Sequence, residues 1–549
     1  MMSASKSAWL LAVFAVSASA CRSRDAASAG ATDSAAGTRR AQIFFSTSVL
    51  GYIEPCGCTS TPLGGIQRLA SIVRKSEVPH ILVDTGDLFF PDEKSTATED
   101  QHDLKARMLA RVYRRLGAVA INLGPLDVSA GLEFLETLQT EGAVPLVSAN
   151  VRPEGRGPRI AQSFVREVGG IRVGVTGVSS VEGFGALTST GSPRRLVAHE
   201  PLAKLKEEVS TLRGRDGAEL VIVLAHMPEA LAREVAKVVP GIDVIVRGPG
   251  SSILREPSAP ELVGSVPVIE AGSQGQRVGV LHVELARGHA GPIAFDDGGI
   301  KAKRQRELEA RKRQALEREI AELSKDASQS AAVFARKLQL ERISSNLGAS
   351  TSGEVVGGSK VKFELVSLTT DVPADPEMVS LLDAYYVRLR ELNLDKGDLA
   401  PCLAKPDTVK YLGTEACVEC HEDAYAFWKT TKHGKAWETL EKDNKHYDLT
   451  CIGCHTVGYQ RAGGFCTLRN VGSLKDVGCE MCHGPGARHV ENEGDSDAIQ
   501  LSVTRETCAG YCHVPEHSDT FEFESYVRKI TGPGHELSAT SSASLRRTP

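Results

Sequence analysis

In the first half of the chain, apolar residues gather into short runs bounded by Gly, Pro, Asn or Asp. Gln42 to Phe45, His80 to Val83, Ala118 to Asn122, Val144 to Ser148, Arg172 to Gly177, Leu220 to Leu224, Asp243 to Val246 and Val266 to Glu270 are the clearest, and they predict strands. Between them Ile66 to Arg74, Leu104 to Leu116, Leu202 to Leu212 and Glu229 to Val239 space apolar residues at helical intervals. Strand and helix in alternation predict an α/β sheet domain over 41–299. Lys, Arg, Glu, Ala and Leu then take over, with Leu316, Ile320, Leu323, Ala327, Phe334 and Leu338 near heptad spacing. A charged helical connector is expected over 300–347, one long helix whose apolar stripe is interrupted at Ser328-Gln329-Ser330. The stripe is expected to pack on its own chain, with dimerisation as a coiled coil the alternative. A small linker segment, 348–410, follows, with a strand over Lys360 to Thr369 and a helix over Pro376 to Leu392.

The N-terminus carries a different pattern. Lys6 precedes an apolar run from Ala8 to Val16, too short to cross a bilayer, and Ala18-Ser19-Ala20 leads into Cys21. These features predict a signal peptide over 1–20 and a chain exported to the periplasm or cell envelope. Cys21, directly after the cleavage site, is a candidate for lipidation and hence for a membrane anchor, although the box lacks the preferred leucine. Ordinary cleavage with a soluble product is the alternative. Residues 21–40, rich in Ala, Ser, Gly and Thr, predict a flexible tether, and 537–549 a disordered tail.

With 549 residues, 41% of them apolar, and no second hydrophobic run, the remainder is expected to fold as two globular domains. A net charge of -5 argues against nucleic acid as a partner. The 13 cysteines change the picture most. Eight of them form four pairs, each followed by a histidine: Cys417 and Cys420 with His421, Cys451 and Cys454 with His455, Cys479 and Cys482 with His483, and, one residue longer, Cys508 and Cys512 with His513. Two thiols so spaced can add to the vinyl groups of a haem, and the next histidine can reach the iron as proximal ligand. Zinc sites and disulfides also use paired thiols, yet neither requires a histidine after every pair. Four haem c groups are expected, three of them on motifs of the usual length. Cys56, Cys58, Cys402 and Cys466 remain, and no motif claims the last two.

Seven stretches of the first domain occur in a telling order: Val83-Asp84-Thr85-Gly86-Asp87-Leu88-Phe89, Asn122-Leu123-Gly124, Ser148-Ala149-Asn150-Val151, Gly174-Val175-Thr176-Gly177, Ala225-His226, Gly241-Ile242-Asp243-Val244-Ile245 and Glu270-Ala271-Gly272-Ser273. On these the domain resembles the metallophosphoesterase domain of 5′-nucleotidases, which implies a four-layer α/β sandwich. Such enzymes clamp phosphate and activate water with two metals held by Asp, His and Asn. Here the family's first Asp-x-His position reads Ser48-Val49-Leu50, its Gly-Asn-His-Glu reads Gly124-Pro125-Leu126-Asp127, and its final Gly-His-x-His reads Gly248-Pro249-Gly250-Ser251. Only Asp87 and His226 survive at ligand positions, too few for two divalent ions, so phosphoester hydrolysis is not expected. After the first strand, where α/β folds place their sites, stands Glu54-Pro55-Cys56-Gly57-Cys58. This region resembles 5′-nucleotidase-like proteins fused to multihaem cytochromes, some of which carry selenocysteine in this loop. Cys56 and Cys58 are candidates for a dithiol–disulfide couple or a soft-metal pair, with an inert disulfide as the plain alternative.

In the last domain, 411–536, Tyr411-Leu412-Gly413, Trp428, Lys432-His433-Gly434-Lys435-Ala436, Gly463-Gly464-Phe465, Cys482-His483-Gly484-Pro485-Gly486 with His489, and Pro515-Glu516-His517-Ser518 stand around the motifs. On these it resembles the cytochrome c-554 type of multihaem protein, which implies close-packed haems on a small, mainly α or irregular scaffold. His433, His489 and His517 match recurrent distal positions of that family. His446 and His535 complete five candidates for four irons, with solvent exposure or a propionate contact the alternative for each. Which histidine serves which haem stays open. The whole predicts an exported electron carrier working by haem-to-haem hopping, its degenerate first domain kept for docking or thiol redox. A reductase or oxidase of a small nitrogen or sulfur species at a five-coordinate haem is the first alternative, and a metal-dependent phosphohydrolase or nucleotidase the second. Expected partners are redox proteins or quinone-linked cytochromes, and the membrane through Cys21.

Overall fold

In the strand Thr38–Ser46, Ile43 and Phe45 enter one hydrophobic core and Phe44 enters another. Successive strand side chains point to opposite faces, so a strand placed between two cores reads as an unbroken apolar run. The structure, a computed structural model, describes residues 37–55, 59–91, 97–184, 195–248, 256–289, 291–346, 358–395, 410–469, 471–514 and 517–535. The signal peptide, Cys21, most of the tether, Cys56, Cys58, Pro249 to Ser251, Cys402 and the tail lie outside them.

The described strands are β1 (Thr38–Ser46), β2 (His80–Asp84), β3 (Ala118–Asn122), β4 (Leu146–Val147), β5 (Val151–Glu154), β6 (Ser163–Val168), β7 (Ile171–Ser179), β8 (Arg195–Ala198), β9 (Leu220–His226), β10 (Val244–Gly248), β11 (Glu261–Val263), β12 (Val266–Ile269), β13 (Arg277–Ala286), β14 (Ala294–Asp296) and β15 (Lys360–Ser367). One sheet has the order β14-β15-β13-β1-β2-β3-β4, with β1 to β4 parallel and β13 antiparallel to β1. The other has the order β11-β12-β10-β9-β7-β6, parallel in the middle and antiparallel at each edge. Strands β5 and β8 form a separate ribbon.

The two sheets share a core built from Ile43, Phe45, Val83, Ile222, Leu224 and Leu281. Helices α1 (Ile66–Arg74), α2 (Glu99–Arg115) and α3 (Leu132–Gly142) cover the outer face of the first sheet. Helices α4 (Pro201–Gly214) and α5 (Glu229–Val238) cover the outer face of the second through Val221, Val223 and Ile245. This is the four-layer α/β sandwich that the sequence implies. At its centre Phe45 stacks on Phe363 with ring centroids 5.8 Å apart, over Gly279 of β13. A Cβ at Gly279 would come within 2.1 Å of the Phe45 ring, so only glycine fits there.

Beyond the sandwich the structure departs from the sequence expectations. The connector is not one helix: α6 (Ile300–Leu323) and α7 (Ser330–Asn346) fold back on each other, joined by the Arg336–Glu319 ion pair at 2.8 Å. The interruption at Ser328-Gln329-Ser330 is the turn itself, where Asp326 accepts the Ser328 N–H and starts a short 3₁₀ turn. The segment expected as a linker is part of the sandwich. Strand β15 lies between β13 and β14, and α8 (Pro376–Asp395) drives Met378, Leu382, Tyr385 and Leu389 into the outer core. Thr38 to Arg40, counted with the tether, already pair with β13.

From Tyr411 onward the described chain is mainly short helices: α9 (Glu422–Thr430), α10 (Ala436–Lys442), α11 (Leu449–His455), α12 (Cys479–His483), α13 (Ala487–Glu491), α14 (Arg505–Ala509) and α15 (Phe523–Ile530). They gather around a small core of Trp437, Leu440, Leu449, Ile452, Tyr459 and Phe465. Among the described residues no helix is long and apolar enough to cross a membrane.

Candidate functional site

Strand β2 ends in the turn Asp84-Thr85-Gly86-Asp87, where Gly86 has φ +98° and a Cβ would come within 2.4 Å of the Gly124 nitrogen. Ser48, Leu50 and Asp87 also adopt left-handed backbone, at φ 43°, 57° and 53°. Each such non-glycine residue costs about 1 kcal/mol or more, and strain of this kind gathers at functional sites. Ser48 and Leu50 stand where the family resemblance places the first metal ligands.

The polar groups that remain are engaged with one another. His226, at the end of β9, lies 3.1 Å from one Asp87 oxygen, and both side chains are buried. The other Asp87 oxygen accepts the Leu126 N–H at 2.8 Å. Asp127 accepts the backbone N–H groups of Asp87, Leu88, Phe89 and Gly124 at 2.8 to 3.2 Å. Asp84 accepts from Ser46 Oγ at 2.5 Å and from the Gly86 N–H at 2.8 Å. Burial pushes the Asp84 carboxyl up to about 8 and that of Asp127 up to about 7, toward the neutral acid. At His226 burial opposes the charge most, but the neighbouring acids Asp87, Asp127 and Asp84 together outweigh it and the net shift is upward. Arg247, one residue before the end of β10, pairs with Glu270, and both are buried. Among the described residues no cluster of three or more His, Cys, Asp or Glu is arranged to hold a metal ion. This donor set does not fit a two-metal phosphoesterase.

The last domain arranges its histidines differently. His489 faces His421 with ring centroids 6.3 Å apart and planes 23° apart. His535 faces His483 at 6.4 Å and 25°, and His433 faces His513 at 6.2 Å and 51°. Two imidazoles on opposite sides of one metal ion need about 2 Å for each metal–nitrogen bond and about 1 Å more from each nitrogen to its ring centre, about 6 Å in all. Hydrogen bonds leave the outer nitrogens free for that purpose. The Nδ1–H groups of His483, His489 and His455 donate to the carbonyls of Gln500, Asp495 and Ala436 at 2.7, 2.8 and 2.6 Å, which points Nε2 away. Burial, with His513 and His455 nearby, lowers His433 to about 4, so its ring is neutral, the form that ligates iron.

The motif cysteines are free thiols and meet across motifs. Cys417 hydrogen-bonds to Cys479 and Cys454 to Cys512, while burial, with Cys508 and Cys479 close by, pushes Cys482 up to about 11. These residues fit haem c, held by paired thioethers with an iron between facing rings. His455 differs: among the described residues no histidine ring faces it at such a distance. His446 packs instead against Tyr447, and the backbone N–H of His517 donates to the Val514 carbonyl at 3.0 Å. The Cys466 thiol donates to the Gly464 carbonyl at 3.1 Å.

Two acids that the sequence did not single out organise this domain. Glu480, buried inside the third motif, accepts the N–H groups of Leu412, Gly413 and Gly486 at 2.7 to 3.1 Å. Nothing in the spacing of Cys479-Glu480-Met481-Cys482 marks that role. Asp448 caps α11 by accepting the Thr450 N–H at 2.9 Å, and an Asp just ahead of an apolar helix start is a signal the sequence does carry.

The family model described as cytochrome c554 and c-prime matches residues 416–484. Cytochrome c-554 of Nitrosomonas europaea is 35% identical over 89 residues, 14% of this chain and 38% of that protein. In the N-terminal region, the 5′-nucleotidase of Rattus norvegicus is 28% identical over 258 residues, 44% of this chain and 43% of that protein. The chain thus spans less than half the length of each of these relatives. A solved 5′-nucleotidase precursor from Thermus thermophilus aligns with a TM-score of 0.44 and 19% identity, over 70% of this chain and 67% of that one. Sequence matches and sheet order together identify this chain as a 5′-nucleotidase-like metallophosphoesterase domain fused to a domain of the cytochrome c554 type.

Proposed function

We propose that the chain is an exported electron-transfer protein with four c-type haems, whose first domain no longer hydrolyses phosphoesters. The three facing histidine pairs carry this reading. Thioethers at Cys417 and Cys420, Cys451 and Cys454, Cys479 and Cys482, and Cys508 and Cys512 attach the cofactors. His421 with His489, His483 with His535, and His513 with His433 would hold three irons, and His455 would hold the fourth. When bound, haem c supplies one-electron centres whose potentials follow their axial ligands and surroundings. The chain's own groups prepare those positions. The carbonyls of Gln500, Asp495 and Ala436 fix ring orientation, and Glu480 ties the segments beside the first and third motifs together.

On the same reading Cys21 anchors the chain to a membrane, and the partners are redox proteins or quinone-linked cytochromes. Cys56 and Cys58 act as a thiol redox pair. The described residues on either side of this loop meet the last domain: Glu54 pairs with Lys445 at 3.3 Å and Ser60 Oγ donates to Asp519 at 2.6 Å. His455 favours a second reading, a reductase or oxidase of a small nitrogen or sulfur species, because among the described residues no second histidine ring faces it.

Haem counting by mass, combined with spin state, tests both readings. The expected result is four haems, three low-spin and one high-spin, with carbon monoxide, nitrite or hydroxylamine shifting only the last. A mass gain for three haems would remove the Cys508–His513 site. Four low-spin signals, silent to all three ligands, would remove the second reading. Metal-dependent turnover of a phosphoester would overturn the conclusion about the first domain.

A further inference from the structure

Helix α6 has two sides of different character. Glu309 is its one buried residue, and Leu316, Ile320 and Leu323, on the same side at helical spacing, are half-buried. A second stripe is turned away from it: Arg304, Leu308, Arg311, Ala315 and Arg318 at i, i+4, i+7, i+11 and i+14, with Lys312 on its flank. Leu308 is 47% exposed, and Arg311, Lys312, Ala315 and Arg318 are exposed beside it.

The charge of this stripe is not answered within the chain. Helix α6 carries eight Lys or Arg against five Glu, in a protein of net charge -5. Of those five acids Glu309 is buried, and Glu317, Glu319 and Glu322 pair with Arg313, Arg336 and Lys325 at 2.9, 2.8 and 2.5 Å. Glu307 alone is left beside the stripe. Arg304, Arg311, Lys312 and Arg318 have no ion-pair partner among the described residues. A charged helix face is ordinarily just solvated, but here an apolar line, Leu308 and Ala315, runs between the cations. That pattern suits a planar anionic interface, where the apolar groups enter the headgroup boundary and the long side chains keep their charged ends among the phosphates.

Chain lengths allow such a contact beside an anchor. Ala294, Lys360, Glu284 and Arg40 stand in one row across β14, β15, β13 and β1, about 14 Å from end to end at normal strand spacing. From Ala294 to Arg304 the chain spans at most about 35 Å, and from Cys21 to Arg40 at most about 65 Å. A bilayer that holds Cys21 is therefore within reach of α6.

We propose that the stripe of Arg304, Leu308, Arg311, Lys312, Ala315 and Arg318 lies on a membrane surface rich in anionic phospholipid headgroups. It rests on the reading that the chain is exported, and it adds an electrostatic contact to the anchor proposed at Cys21. The two contacts are separable, since the stripe acts whether or not Cys21 is acylated.

Co-sedimentation of the full-length, haem-loaded protein with lipid vesicles tests this. In Cys21→Ser, which cannot carry the anchor, binding is expected to vesicles of phosphatidylcholine and phosphatidylglycerol in equal amounts and not to phosphatidylcholine alone. It should vanish at about 1 M salt, where charges are screened beyond ~3 Å. Arg304→Gln/Arg311→Gln/Lys312→Gln/Arg318→Gln should lower the affinity about fivefold for each charge removed, more than a hundredfold in all, with haem mass and helix content unchanged. Leu308→Ser should weaken it severalfold. Lys206→Gln/Arg215→Gln/Lys237→Gln/Lys442→Gln, which removes as much charge elsewhere, should bind nearly as well as the unaltered chain. No binding, equal binding to both vesicles, or an equal loss in the two quadruple variants would overturn the proposal. So would self-association in the absence of lipid that the stripe variant abolishes, because the stripe would then belong to a second copy. A mature protein whose mass shows no acyl group would remove the anchor at Cys21 and leave the stripe standing.

Discussion

The pocket around Asp87 and the paired histidines of the last domain hold similar side chains under opposite conditions. In the pocket His226 touches Asp87 at 3.1 Å, the other Asp87 oxygen takes a backbone N–H, and Asp127 takes four. In the haem domain three pairs of rings stand 6.2 to 6.4 Å apart, and carbonyls hold the inner nitrogens of His483 and His489. Side chains that bond to one another are engaged in holding the pocket together, whereas rings held apart at metal spacing leave room for an ion between them. The pocket also holds strained backbone, since Ser48 and Leu50 adopt left-handed conformations. The difference is one of geometry and bonding more than of residue type, and substitutions on either side can break it.

The largest effect is expected at a paired histidine. In His489→Ala the ring facing His421 is gone, so one low-spin haem should become high-spin while haem mass is unchanged. Electron paramagnetic resonance of the oxidised protein reads this directly. If all low-spin signals survived, the 6.3 Å spacing would be packing and not ligation, and the contrast with the pocket would fail.

How much of this contrast the sequence carries depends on range. Strands such as β9 declared themselves, because Leu220, Ile222 and Leu224 serve one core while Val221, Val223 and Ala225 serve the other, and both needs are local. Ser48, Leu50 and Pro125 likewise stand in the sequence where the family resemblance places metal ligands. Strand β15 was visible as a strand, yet its place between β13 and β14 is set by pairing with segments far away in the chain. The turn at Ser328 stood in the sequence as an interruption, but its use to fold α6 on α7 depends on Asp326 and on the Arg336–Glu319 pair. Histidine pairing is the extreme case. His535 stood in the sequence as one of five candidates and His517 as a match to a recurrent family position, while the ring facing His483 is that of His535.

A middle-sized effect tests the sealed pocket through pH. The Asp84 carboxyl, near 8 when folded against about 4 in an unfolded chain, favours folding in its protonated form. Its contribution is therefore complete below about pH 4 and is lost as pH rises through about 8, up to a few kcal/mol, with Asp127 adding in the same direction over a narrower window. Chemical denaturation followed by circular dichroism should show the first domain weakening from pH 5 to 9. Asp84→Asn, which copies the protonated acid, should flatten much of that slope. Stability rising over this range would mean that Asp84 is ionised when folded and that the pocket still stabilises negative charge, as a metal site would.

The smallest effect is the most discriminating. Thr85 is fully buried beside Asp84, and its hydroxyl has no partner, like the Ser48 hydroxyl and His226 Nδ1 nearby. A buried hydroxyl without a hydrogen bond gives up its hydration for nothing, so an apolar group of the same shape should be tolerated or preferred. Thr85→Val is therefore expected to alter stability by less than about 1 kcal/mol, in the stabilising direction, with haem spectra unchanged. A loss of several kcal/mol would require that the hydroxyl be satisfied in the working protein by something the pocket holds. In that case the pocket would still be a site, and its difference from the paired histidines would lie in what each binds rather than in whether it binds at all.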